Sequence, residues 1–329
     1  MSAPEWYSET ITPGVRVSFE AGRVVHRERT PWQDLVLIEN RPFGRVLLLD
    51  GATQVASADE FAYHEMMCHV PLLAHGHVRR VLIIGGGDCG LAEEVLRHRT
   101  VGQVTQVEID AAVVRVARQH LGSVNSAVFD DERLKIVIDD GAKWLAARQE
   151  QYDLILVDST DPVGAGAVLF TEAFYRDARA CLAPGGVLVC QLGVPFLQRD
   201  TFVSAVHNLA LTFPVLSCYL VAVPSYFGGH LAIGWASDGL KPDDASLELL
   251  TVRASAARLQ TRYYTPEVHL ASLALPRYIG EAFEEGCKPL LSRKSSTSTM
   301  PAVAVQPPDP EAPPAPASTT TRSRSARGG

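Results

Sequence analysis

Arg80-Val81-Leu82-Ile83-Ile84-Gly85-Gly86-Gly87-Asp88-Cys89-Gly90 decides the fold. The apolar, β-prone run 81–84 reads as a buried strand, the glycines as a tight turn, and 91–97 as a helix leaving that turn. The unit then recurs. Strand 104–107 ends in Glu108 and leads to helix 111–120; strand 134–138 ends in Asp139-Asp140-Gly141 and leads to helix 142–149; strand 152–157 ends at Asp158. A helix at 171–182, strand 187–191, helix 200–213 and strands near 216–223 and 231–235 complete the series. Such alternation predicts a doubly wound, mostly parallel Rossmann-like sheet. The loop between the last two strands is too short for a crossover helix, so the last strand is expected to run antiparallel.

Upstream the pattern differs. Segments 15–20, 23–29, 35–39 and 45–49 read as strands joined by short turns, the last ended by Asp50-Gly51. This antiparallel meander is expected to form a small N-terminal β-domain over 1–57, marginal alone and suited to subunit contact. Residues 58–74 are helical in pattern, with Pro71 a break or kink. The second domain is expected to span 58–290 and to close with an accessory helix, a Tyr-rich loop (Arg262-Tyr263-Tyr264) and a terminal helix. From 291 to 329 the composition collapses to Ser, Thr, Ala and Pro, the mark of a disordered tail.

Bulk properties narrow the function. With 47% hydrophobic and 20% charged residues the chain can bury a large core. A net charge of −7 argues against nucleic acid and permits a cationic ligand. None of the six cysteines forms a C-x-x-C pair, and no His/Cys run has metal-ligand spacing, so buried thiols and no metal are expected. The N-terminus lacks a secretory pattern, and no apolar run approaches the ~18 residues of a membrane span, so the expected location is cytoplasmic.

Four strand ends carry acids: Asp88, Glu108, Asp140 and Asp158, the last followed by Asp161. In open α/β sheets that edge binds ligands. Glu108, 20 residues after Asp88, is placed for a ribose diol, and Asp140 for an adenine amino group. Asp88 inside the glycine turn is unfavourable for phosphates, although it also suits a helix N-cap. Clustered acids repel unless a cation neutralises them. Two organic cations fit: a sulfonium nucleoside of the S-adenosylmethionine type, and an amine.

The sequence resembles the spermidine synthase family of aminopropyltransferases from Trp6 to about Phe283. The matching motifs include Asp50-Gly51-x-x-Gln54, Asp59-Glu60-Phe61-x-Tyr63-His64-Glu65, IIGGGD at 83–88, VEID at 107–110, DDG at 139–141, DSTDPVG at 158–164 and PSYFGG at 224–229. The resemblance implies a class I methyltransferase-type Rossmann domain behind a small β-domain, in a homodimer or homotetramer. It implies decarboxylated S-adenosylmethionine as co-substrate, with no resident cofactor, and putrescine as acceptor. Carried over by position, Asp158 is the proton acceptor. Gln33, Asp88, Glu108, Asp140, Gly141 and Ala165 belong to the donor site. Gln54, Tyr63, His64, Asp161 and Tyr226 belong to the diamine site. The chain departs from the family pattern at Cys89 (commonly Gly), Glu93 (commonly Arg) and Ala165 (a loop proline). Transfer to cadaverine, agmatine or spermidine, amine N-methylation, and a catalytically dead nucleoside-binding protein are the competing readings.

Overall fold

The computed structural model describes residues 5–147, 150–162 and 164–297. The stretch expected to be a disordered tail lies outside these residues from 298 on, but its expected start at 291 falls within a helix. Six strands come first. β1 (Glu5–Thr12) and β2 (Val15–Ala21) form a hairpin, and β3 (Arg23–Arg29), β4 (Asp34–Asn40), β5 (Gly44–Leu49) and β6 (Ala52–Ala56) form an antiparallel sheet in that order. Sequence patterning found four of the six. It missed β1, and it took Asp50-Gly51 for the end of the meander. Those two residues have φ of 48° and 81° and turn β5 directly into β6, the positive-φ pair of a two-residue hairpin loop.

α1 (Glu60–His75) follows. It is buried along its length from Ala62 to Ala74, so packing holds it, and it runs on through Pro71. The doubly wound unit is β7 (Arg80–Gly85), α2 (Gly90–Arg97), β8 (Gln103–Glu108), α3 (Ala111–His120), α4 (Gly122–Asn125), β9 (Leu134–Ile138), α5 (Gly141–Ala146), β10 (Tyr152–Asp158), α6 (Glu172–Ala180), β11 (Leu182–Gln191), α7 (Arg199–Thr212), β12 (Val215–Ala222) and β13 (His230–Ser237). Where a two-helix ending was expected, the described chain closes with four helices: α8 (Leu247–Ala257), α9 (Pro266–Ser272), α10 (Arg277–Gly286) and α11 (Lys288–Thr297).

The central sheet has the order β12-β13-β11-β10-β7-β8-β9, and β13 runs antiparallel to both of its neighbours, as expected. Chain direction across the sheet reverses between β7 and β10, and at that switch point the carboxyl ends of parallel strands leave a crevice. One sheet face packs on α1 and α2, the other on α5, α6, α7 and α10. The N-terminal sheet is covered on both faces. Leu35, Leu37, Leu47 and Val55 pack against Val113, Val116, Ala117 and Leu121 of α3 and its end, while Ile38, Val46 and Leu48 pack under Phe19 of β2. Thr30 and Gln33 reinforce the first contact by donating to Asp110 Oδ2 at 2.8 and 2.9 Å.

Glu65 ties α1 to the Tyr-rich loop. Its carboxylate, 1% exposed, accepts from the backbone N–H groups of Arg262, Tyr263 and Tyr264, each at 2.8 Å. Removing it leaves three donors without their acceptor, and buried donors are costly to strand. Glu65→Ala is therefore expected to destabilise the fold by about 3 kcal/mol or more, read as a fall in the denaturant midpoint. A loss below about 1 kcal/mol, the scale of an ordinary surface change, would contradict the assignment.

Candidate active site

The turn after β7 is shaped by the acids around it. The Gly86 N–H donates to Asp158 O at 2.8 Å. A Cβ at Gly85 would strike that same carbonyl, one at Gly86 would lie 2.9 Å from Asp158 Oδ2, and one at Gly87 would lie 2.9 Å from Glu108 Oε2. Gly85 and Gly86 also have positive φ, 83° and 65°. The glycines therefore let two carboxylates close on the loop. Cys89 has a left-handed φ of 63°, where a side chain costs about 1 kcal/mol relative to glycine. Asp88 Oδ1 accepts from the Gly90 N–H at 2.7 Å, so Asp88 does serve the start of α2.

Asp158 sits at the end of β10. Tyr63 of α1 donates its hydroxyl to Asp158 Oδ1 at 2.9 Å, while Oδ2 is buried with no hydrogen-bond partner among the described residues. Burial and the neighbouring Asp88 charge push the Asp158 carboxyl up to about 6, against the opposing effects of His64 and the Tyr63 hydrogen bond. Glu108 accepts from the Asp110 N–H at 2.9 Å, and burial raises its carboxyl to about 7. His64, 2% exposed, lies 3.6 Å from Asp88 Oδ1 through Nε2. Burial lowers its proton affinity, but Asp88 and the Glu60 hydrogen bond outweigh this and raise it to about 10.

Tyr226 stands beside Tyr63 with ring centroids 5.9 Å apart and donates to the Gln54 carbonyl at 2.6 Å. The Gln54 side chain turns back to Ala52 O at 3.1 Å, so its backbone, not its amide, meets Tyr226. Asp59 holds this wall by accepting from the Ser225 N–H and hydroxyl at 2.6 and 3.1 Å. A cavity of about 430 Å³ opens beside Tyr226, lined by Phe196, Leu197, Val223, Pro224 and Phe227. Asp161 accepts from Gln198 Nε2 at 2.6 Å. Glu9 of β1 accepts from the Thr53 N–H at 3.0 Å, and burial, aided by the Asp161 charge, raises its carboxyl.

Folding thus gathers Tyr63, His64, Asp88, Asp158 and Tyr226 at the switch point, with Glu108 behind the glycine turn. Asp140 lies at the next strand end, where Oδ1 caps α5 through the N–H groups of Ala142 and Lys143 at 3.0 and 3.2 Å, and Oδ2 is 3.3 Å from Lys143 Nζ. Gly141 lets α5 close on Ile84. Gln33 is engaged with Asp110. Glu93 turns away to accept from the Ala127 N–H at 3.1 Å. Ala165 belongs to the 3₁₀ segment Gly164–Phe170, and its side chain lies outside the described residues, as does Val163. Sequence reasoning assigned no part to Glu9, Glu60 or Gln198. Helical spacing from His64 could have found Glu60, whereas Glu9 and Gln198 arrive through tertiary packing alone.

Folding also gathers Cys68, His69 and His98, whose ligand atoms lie within 4.8 Å of one another, a grouping that spacing along the chain concealed. His69 Nδ1 and His98 Nε2 are 2.9 Å apart, a hydrogen bond between the rings, and His69 Nε2 lies 3.1 Å from Glu94 Oε2. Burial lowers both histidines to about 3, so both are neutral at pH 7. This pairing fastens α1 to α2. All six cysteines are buried and none is in a disulfide.

Comparison with known proteins places these features in context. Residues 60–244 match the family model of the spermine/spermidine synthase domain, and residues 5–57 match that of the spermidine synthase tetramerisation domain. The polyamine aminopropyltransferase of Erwinia tasmaniensis is 45% identical over 285 residues, covering 87% of this chain and 100% of the relative. That of Klebsiella pneumoniae is 46% identical over 279 residues, covering 85% and 97%. Among solved structures, a spermidine synthase in complex with the transition state analogue AdoDATO aligns with TM-score 0.81 and 34% identity, covering 86% of this chain and 97% of that one. The spermidine synthase from Thermotoga maritima aligns with TM-score 0.78 and 32% identity, covering 86% and 96%.

The raised Glu108 carboxyl has a stability signature. Its folded-state proton affinity exceeds that of the unfolded chain, so the folded protein holds the proton longer as pH rises. Stability from this group is full below about pH 4.5 and is lost as pH climbs toward 7. Glu108→Gln removes this ionisation, so the unliganded variant is expected to exceed the parent by up to about 3 kcal/mol at pH 8 and by little at pH 5. Urea melts at the two pH values check the sign; equal differences at both would refute it.

Proposed function

The chain belongs to the spermine/spermidine synthase family, and from that membership we propose that it transfers the aminopropyl group of decarboxylated S-adenosylmethionine to putrescine, giving spermidine and 5'-methylthioadenosine. The observation that carries this reading is Asp158 Oδ2, a buried carboxylate oxygen without a hydrogen-bond partner among the described residues, at the point where the donor turn and the tyrosine wall meet.

The chemistry follows from charge. The methylene next to a sulfonium is electrophilic, and an amine must attack it in line. A free alkylamine titrates near ~10, as lysine does, and cannot attack while protonated. Tyr63 fixes one oxygen of Asp158 and leaves the other to take the proton and to orient the amine. With its carboxyl raised to about 6, Asp158 is a stronger base than an ordinary aspartate and is still ionised at neutral pH. The nitrogen gains the new C–N bond, the C–S bond breaks, and the sulfur leaves as a neutral thioether.

Binding divides among the other groups. Glu108 accepts the ribose hydroxyls, Asp140 and the α5 turn take the adenine, and Gln33 and the 3₁₀ segment carrying Ala165 flank the nucleoside. Asp88 takes the donor's primary ammonium. Its negative charge repels the carboxylate that S-adenosylmethionine keeps, which selects the decarboxylated donor and disfavours methyl transfer. Tyr63, Tyr226 and Gln54 wall the diamine, while Asp161, oriented by Gln198, and Glu9 receive its far ammonium. The donor enters as a co-substrate, and the step uses no resident cofactor or metal. Residues 5–57 carry the subunit contacts of a homo-oligomer, a reading supported by their match to a tetramerisation domain.

Three measurements test this. Incubation with decarboxylated donor and a panel of putrescine, cadaverine, agmatine and spermidine should give spermidine from putrescine as the fastest product. A faster product from another amine, or a methylated product, would replace the assignment. Asp158→Asn should lower kcat by about 10²–10⁴-fold with donor binding retained by calorimetry; near-normal turnover would remove Asp158 as base. Asp88→Asn should narrow the preference for decarboxylated donor over S-adenosylmethionine in competition binding. An unchanged ratio would show that the discrimination lies elsewhere.

A further inference from the structure

Glu60 opens α1 one turn before His64, and that spacing sets both on one helix face. Glu60 Oε2 lies 2.7 Å from His64 Nδ1, and Asp88 Oδ1 lies 3.6 Å from His64 Nε2, so each ring nitrogen faces a carboxylate. An ionised carboxylate only accepts hydrogen bonds, so this arrangement is satisfied when both nitrogens carry protons. A neutral imidazole would set a lone pair against one of the two acids. The ring is also held in place: a Cβ at Gly90 would strike His64 Nδ1 and Cε1, and the Tyr63 ring lies 5.5 Å away. Glu60, Asp88 and His64 side chains are 12%, 12% and 2% exposed, so water screens them weakly.

The groups facing His64 come from several elements. Glu60 and Tyr63 lie on α1, Asp88 on the turn after β7, Glu94 on α2 and Asp158 at the end of β10, with Tyr226 across the cleft. His64 therefore sets a positive charge among four carboxylates. We propose that Glu60 is a positioning residue for aminopropyl transfer: it holds His64 as an imidazolium aimed at Asp88, and the charge so held keeps Asp158 ionised beside Asp88 at neutral pH. This rests on Asp158 being the proton acceptor.

The direction of each effect is determined. Glu60 raises the proton affinity of His64, and the His64 charge lowers that of Asp158, which Asp88 raises. Loss of the Glu60 charge makes His64 release its proton at lower pH. At any pH where His64 is thereby neutral, Asp158 binds its proton more tightly, and the acid limb of the rate profile moves to higher pH. A purely structural ion pair at the start of a helix would lower stability and leave that limb in place.

The experiment compares the full-length parent with E60Q and E60D. With both substrates saturating, the E60Q acid limb in kcat should move up by about one to one and a half units. At pH 6.5 its kcat should fall about three- to tenfold, recovering toward the parent value above pH 8.5, with a smaller change in donor KM. E60D retains the carboxylate and should recover part of the shift. In parallel, ¹⁵N imidazole spectra, with H64N identifying the His64 signals, should show His64 protonated past pH 8 in the parent and deprotonating earlier in E60Q. Coincident acid limbs, or a His64 titration unchanged by E60Q, overturn the inference. If the parent makes no aminopropyl product, the functional reading falls instead, and the imidazole titration still decides whether Glu60 holds the charge.

Discussion

Negative charge withdrawn from water is the constraint on which the rest of this structure depends. Asp88, Asp158 and Glu108 converge where β7, β8 and β10 end. Burial and mutual repulsion leave Asp158 and Glu108 holding protons more tightly than free carboxylates do. Much of the surroundings answers that strain. The glycine turn makes room for the acids, Tyr63 donates to one oxygen of Asp158, and His64 offers a positive ring. What remains is a crevice that disfavours anions and gains from cations, before any detail of shape is considered.

α1 is the element that mediates between this charge and the body of the protein. Its start carries Glu60, Tyr63 and His64 toward the crevice, and its middle carries Glu65 to the Tyr-rich loop and His69 to α2. A helix so fully enclosed cannot shift without breaking several buried polar contacts at once. That accounts for its continuing through Pro71, where local propensity predicts an interruption.

The sheet was legible because its strands are short apolar runs punctuated by glycine and acid, the strongest local signal that a chain carries. The acids were legible as strand-end residues for the same reason. Their partners were less so. Glu9 comes from a strand whose polar alternation did not stand out, and Gln198 from just before α7. Neither has a local pattern announcing that it reaches Asp161 or its surroundings. β6 was hidden because Asp50-Gly51 reads equally as a stop or as a hairpin turn, and only pairing with β5 decides. Cys68, His69 and His98 are brought together by helix packing, which no spacing rule anticipates. Conversely, Gln54 was legible as a site residue, but folding uses its carbonyl rather than its amide.

The hydrogen bond from Tyr226 to the Gln54 carbonyl joins a loop late in the chain to a strand of the N-terminal sheet, and Thr30 and Gln33 grip Asp110 on the other side. The small sheet, the part of the chain that matches a tetramerisation domain, is thus also a jaw of the cleft. Neither unit can be traded for a foreign counterpart without misaligning the other. A recombinant hybrid joined near residue 58 would therefore inherit mismatched halves of one pocket.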